Sequence, residues 1–111
     1  MAVEDVTRLV ERLEAFEDRV GVRLESLHGA MWENDDGMWL EVRGELHPKS
    51  GTKLQQNLQL VIAAYDSSSR IVGIKEKIFL ANTFFGFEVF QMHVQLDVLK
   101  LTRIRVYPKQ M

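Results

Sequence analysis

Three imidazoles, at His28, His47 and His93, are the only nitrogen donors in the sequence suited to a metal, and with no cysteine there is no thiolate to join them. A hairpin that pairs Trp32 with Trp39 puts His28 and His47 on one face but four rungs apart. At about 3.3 Å per residue that separation exceeds the reach of one ion. His93 lies on a later segment, and its spacing to Glu41 or Asp97 selects neither as a partner. The three histidines therefore read as solvated side chains. Asn34-Asp35-Asp36-Gly37 offers hard oxygen donors but lacks the alternating acids and the closing Glu of a calcium loop, so it reads as a hairpin turn. Ser67, Ser68 and Ser69 have no base beside them of the kind a serine nucleophile needs, and Asp66 with these serines reads as turn chemistry. The paired acids Asp35-Asp36 and Glu41/Glu45 lie on a turn and an exposed strand face, where nothing shifts their pKa values toward catalysis. No Gly-rich phosphate loop or HExxH motif is present. The residues predict a protein that is not an enzyme and requires no cofactor and no metal.

The side chains that predict contact with something else are apolar or basic. Trp32 and Trp39, side by side on the outer face of a hairpin, make an apolar patch that calls for a cover. The expected cover is an N-terminal helix, through Leu13 and Phe16, or another subunit or a partner. Arg103, Arg105 and Tyr107 share one face of the last strand. They read either as a surface for an anionic partner or, preferably, as charges that blunt a sheet edge or pair with the acidic N-terminal helix. Leu9, Leu13 and Phe16 lie on the expected helix itself.

The elements that carry these residues follow from periodicity. Val3, Val6, Leu9, Val10, Leu13, Phe16 and Val20 recur every three or four positions, which predicts a helix over residues 3–20, stopped by Gly21. Its seam is too short to argue for a coiled coil. After Gly21 the period becomes two. Met38 to His47 alternates, and a register in which paired numbers sum to 71 sets Met31 against Leu40, Gly29 against Val42 and Leu27 against Gly44 on the inner side. The same register stacks His28 with Arg43 and Ser26 with Glu45 outside. Strands are expected over Leu58–Tyr65, Ile71–Leu80, Phe85–Leu96 and Leu99–Tyr107, with Pro108 ending the last. About six strands joined by turn clusters predict a mainly β chain: an antiparallel, immunoglobulin-like β-sandwich preceded by one amphipathic α-helix. The expected division is a helix over residues 1–20 and a sandwich over 21–111 within one domain.

Composition sets the bounds. The 111 residues are 46% apolar and 27% charged, enough for one core and not for two. The net charge of -2 lacks the basic excess of a nucleic-acid binder. It is also unevenly placed: residues 1–69 hold 7 basic and 13 acidic side chains, and residues 70–111 hold 7 and 3. No run approaches the roughly 20 apolar residues of a membrane-spanning helix, and the N-terminus lacks a secretory signal. The chain as written predicts a cytoplasmic protein, or an extracytoplasmic one if it is an excised domain.

Val42-Arg43-Gly44-Glu45-Leu46, the strand Leu58 to Tyr65-Asp66, Arg70-Ile71-Val72-Gly73 and Phe87-Glu88-Val89 together resemble bacterial FxLYD-type immunoglobulin-like domains over roughly residues 38–107. Leu101 to Val106 is similar to that family's last strand. The chain keeps Tyr-Asp at the named motif but has Ile62-Ala63-Ala64 before it, and it lacks the Asn that usually follows the Gly. The resemblance implies a non-catalytic accessory or interaction module with no established cofactor. The functional expectation is a protein-interaction or assembly module, homodimeric through the helix or the Trp-bearing face. The alternative is a small-molecule or metal-binding sandwich with its site near His93 and the cluster Phe79, Phe84, Phe85, Phe87 and Phe90.

Overall fold

A computed structural model describes residues 2–98 and 100–111. The chain is mainly β. In order it forms β1 (Val3–Asp5), a single 3-10 turn (Thr7–Leu9), β2 (Val10–Arg12), α1 (Glu14–Val20), β3 (Val22–Asn34) and β4 (Gly37–Pro48). There follow β5 (Leu58–Tyr65), β6 (Ile71–Phe79), β7 (Glu88–Leu96) and β8 (Arg103–Gln110). Two four-stranded sheets result: sheet A with order β1-β3-β4-β7 and sheet B with order β2-β8-β5-β6. Leu24, Leu40, Leu46, Phe90, Leu58, Ile62 and Ile104, contributed by both sheets, are buried in one core.

The first twenty residues overturn the expected long helix. Only Glu14–Val20 is helical, ended as expected by Gly21 in the left-handed region at φ 72°. Val3, Val6, Thr7 and Val10 are β-branched and poor helix formers, and Asp5 Oδ1 accepts the Thr7 N–H at 2.8 Å, a local bond that competes with the first helical turn. The sheets supply the better partners. β1 pairs antiparallel with β3, and β2 pairs parallel with β8, so the sandwich is not wholly antiparallel. Val6, between them, is buried in the core and donates its N–H to Gly29 O at 2.9 Å. The segment expected as a separate helix over residues 1–20 is thus part of the sandwich.

In the β3–β4 hairpin the expected register holds from Trp32↔Trp39 to His28↔Arg43 and then shifts. Asn34 Oδ1 accepts the Asp36 N–H at 2.8 Å in the turn, and Gly37 takes φ 119°. Between Glu25 and His28 a β-bulge inserts one residue, with Ser26 at φ 56°. Glu25 therefore faces Glu45 where Ser26 was expected, and Arg23 faces His47 where Leu24 was expected. The bulge also reverses the parity of β3. Val22 and Leu24 point inward before it, Gly29 and Met31 after it. Leu27 still lies against Gly44, since a Cβ on that glycine would stand 2.6 Å from Leu27 Cδ2 and 2.7 Å from Phe90 Cζ.

Elsewhere the expected strands recur with shifted ends. β5 spans the expected residues, β6 ends one residue early, and β7 begins at Glu88 in place of Phe85. The expected start of the last strand, Leu99, lies outside the described residues. Pro108 does not end that strand: it is buried and faces Leu60 within β8. It is tolerated because β2 pairs with β8 only as far as Val106, so the flank at Pro108 needs no N–H donor.

The Tyr65-Asp66 step closes β5. Asp66 Oδ1 accepts the backbone N–H groups of Ser68 at 2.8 Å and Arg70 at 3.0 Å, and Oδ2 accepts Arg70 Nε at 3.2 Å. These bonds, led by the one from the Arg70 backbone, hold the carboxyl below its ordinary range. A carboxylate with a depressed folded pKa adds stability that is present above its unfolded value, about 3.9, and is lost as pH falls through the folded value. Asp66→Asn is therefore expected to flatten the loss of stability below about pH 4 relative to wild type. Urea midpoints measured across acid pH check this, and parallel curves for the two proteins would contradict it.

Candidate functional site

The outer face of sheet A is built from alternate residues of three long strands. Trp32, Ala30 and His28 come from β3, Trp39, Glu41, Arg43, Glu45 and His47 from β4, and Gln95, His93, Gln91 and Val89 from β7. Beyond the bulge, Glu25 and Arg23 join the same face, and Val3 and Asp5 extend it from β1. The two indoles are cross-strand partners, as expected, and both are half-buried. Trp32 meets the His93 ring edge-on at 5.7 Å, and Trp39 Nε1 donates to Asn34 Oδ1 at 3.2 Å. Leu13 and Phe16 do not cover them. Their surroundings are instead the β1 strand, His93 and the turn.

Glu41 is the hub of the polar centre. Its Oε2 accepts Gln91 Nε2 at 2.7 Å and lies 3.1 Å from His93 Nε2, and its Oε1 lies 3.2 Å from Arg43 Nε. The His93–Glu41 pairing that spacing left open is thus made across β4 and β7, on the exposed side of β7, whereas Phe90 of the same strand is buried. A cleft of about 250 Å³ opens beside this hub, lined by Asp5, Thr7, His28, Ala30, Glu41 and Arg43. At the far end of the face Glu25, Glu45 and His47 converge, and Phe87 stacks on the His47 ring at 4.9 Å with the planes 6° apart. Of the five clustered phenylalanines, Phe79, Phe84 and Phe90 are buried, while Phe85 and Phe87 are exposed.

The other named residues gather on the outer face of sheet B. Arg103 and Arg105 lie over the Tyr65 ring at 5.9 and 5.2 Å, and their Nε atoms stand 3.9 and 3.6 Å from the Glu11 carboxylate on β2. The basic pair thus meets an acid from the N-terminal segment, carried on a strand and not on a helix. Tyr107 packs edge-on against Phe16 at 5.2 Å, and burial raises its pKa. Leu9 packs against the core, and Leu13 is the half-buried residue before α1. Leu9 and Phe16 are therefore spent within the domain, and the three residues are not lined up as a seam on one helix.

Sequence reasoning missed the residue that ties α1 down. Glu17 is buried, and its carboxylate accepts Arg12 Nε at 3.1 Å, Arg12 Nη2 at 2.5 Å and the Leu24 N–H at 3.0 Å. It falls between the stripe positions Phe16 and Val20, where the helical pattern assigns a solvated charge. It also missed the cluster Glu25–Glu45–His47, since only the bulge brings Glu25 opposite Glu45. No helix among the described residues is long and apolar enough to cross a membrane.

The charge asymmetry maps onto the two sheets. The strands of sheet A carry seven acidic and two basic residues, those of sheet B two acidic and six basic.

No protein-family model, curated protein or solved structure matches the chain.

Proposed function

We propose that this domain is a non-enzymatic assembly module that binds through the outer face of sheet A, and that the surface it meets is the outer face of sheet B on a second copy, which carries Arg103, Arg105 and Lys109. The observation that carries the reading is the exposure of that face: Val3 is 63% exposed, Val89 66% and Phe87 50%, with His28, Arg43, Gln91 and His93 open to solvent between the apolar ends. Exposed apolar side chains of this size at both ends of one face are what a binding partner would cover. The opposite charge of the two sheets favours a head-to-tail contact, which repeats and does not close on itself as a two-fold dimer does. Dimerisation through a free helix is not part of the proposal, because α1 is held by Glu17 and Phe16.

Immunoglobulin-like character and the FxLYD-type resemblance belong to the same proposal. What supports them is the two-sheet architecture and the placement of the motif glycines. Gly44 lies under Leu27 and Phe90, and a Cβ on Gly73 would stand 2.9 Å from Leu96 Cδ2 and from Val94 Cγ1, so both permit close packing between strands.

Sedimentation velocity tests the assembly. The wild-type chain is expected to grow in mean mass with concentration at low ionic strength and to revert toward monomer in high salt, as contacts between exposed charges do. Trp39→Ser and Val89→Glu are each expected to abolish that growth. A chain that stays monomeric at every concentration and salt level would overturn the reading. A ligand-binding function, the second reading, is favoured by the cleft beside Glu41.

A further inference from the structure

The geometry points to a divalent-metal site of the zinc class on the outer face of β3 and β4, with Glu25, Glu45 and His47 as its ligands. One ligand atom from each of the three residues lies within 4.8 Å of the others. His47 Nε2 is 2.8 Å from Glu45 Oε1 and 3.2 Å from Glu25 Oε2.

Three features argue for a cation at this convergence. Glu25 and Glu45 are direct cross-strand partners, an arrangement of like charges that destabilises a sheet. One Nε2 atom carries at most one proton, so it can give a straight hydrogen bond to only one of the two carboxylates that approach it. A divalent ion meets the nitrogen lone pair and both oxygens at once. Finally, the parallel stack on Phe87 fixes the plane of the imidazole, and Arg23 Nη2, 3.1 Å from Glu25 Oε2, orients that carboxylate. The site is therefore organised before any ion arrives.

The donor set selects the class of metal. One imidazole nitrogen with two carboxylate oxygens is a mixed set that suits zinc and its transition-metal neighbours. Calcium and magnesium prefer all-oxygen shells with more ligands. Three protein ligands leave a coordination position open, and all three side chains are partly exposed, so an exogenous donor can complete the shell. The site exists only because of the bulge: an unbroken register would set Ser26 against Glu45 and leave two donors.

Calorimetric titration of the intact chain with Zn²⁺, together with the visible absorption of bound Co²⁺, tests the site. One ion per chain is expected, with excess Ca²⁺ unable to compete. His47→Gln and Glu45→Gln should each weaken binding by about tenfold or more, since losing even an outer hydrogen-bond partner costs a metal site about 10- to 100-fold. His28→Gln and His93→Gln should leave it unchanged. All four positions are at least partly exposed, and thermal melts without metal check that each variant folds. Absence of saturable binding, or binding that His47→Gln does not weaken, would overturn the site. Stoichiometry is read on dilute, monomeric protein at high salt, so the outcome is separate from that of the assembly test.

Discussion

Glu17→Ala is expected to cost about 3 kcal/mol of stability, because breaking a buried ion pair by removing one partner typically costs about 3–5 kcal/mol and Arg12 can recover part of its hydration. The carboxylate is buried, and three donors converge on it from β2 and β3. Without it the Leu24 N–H is left without its acceptor in the core, Arg12 loses its fixed partner, and the methylenes leave a void under α1. For a chain of this size that loss corresponds to a fall in Tm on the order of 10 °C or more. Glu17→Gln keeps a carbonyl oxygen for Leu24 while discharging the pair, so its loss should be smaller. Chemical denaturation of the three proteins checks the order. A Glu17→Ala chain within about 1 kcal/mol of wild type would show that the site adapts by rehydrating Arg12, not by depending on the pair.

Gly44→Ala is expected to cost about 2 kcal/mol through overpacking, within the ~1–3 kcal/mol typical of methyl groups forced into filled space. The new Cβ collides with Leu27 Cδ2 and Phe90 Cζ and comes within 3.2 Å of the Glu25 carbonyl oxygen. Leu27 is half-buried and can swing away, whereas Phe90 is locked in the core. In a Leu27→Ala background the same substitution should therefore be milder by about 0.5–1 kcal/mol, a coupling of the size seen for residues in contact. Additive losses in the double-mutant cycle would show that Phe90 alone sets the penalty.

The parts of the fold legible in the sequence are those where one periodicity had no competitor. β5 runs from Leu58 to Tyr65 as its apolar composition indicates, and the Trp32–Trp39 register follows from a turn rich in Asn, Asp and Gly. The N-terminal stretch departs from its apparent period because Val3, Val6, Leu9 and Val10 satisfy a helical spacing by accident. Two sheets with open edges, a tertiary demand that no local window contains, decide its conformation. The bulge at Ser26 was likewise hidden, since a single-residue shift reveals itself only when Leu24 and Val22 have to be inside. Of the candidate site, the aromatic pair could be read from spacing. The His93–Glu41 and Glu25–Glu45–His47 groupings could not, as each depends on which strands become neighbours or on the bulge.

The order of sheet B has a bearing on when the molecule can fold. β8 lies between β2 and β5, pairing with Val10–Arg12 on one side and Leu58–Tyr65 on the other. The eighth strand in sequence order is thus an interior strand, and the first segment of its sheet, β2, finds its partner almost at the other end of the domain. A nascent chain can form the β3–β4 and β5–β6 hairpins as they emerge, but its second layer stays divided until Arg103–Gln110 leaves the ribosome. Pairings so distant in sequence slow folding and keep strand edges open meanwhile. Loss of the eight residues of β8 would in consequence remove the seam of a whole sheet and not merely trim an edge.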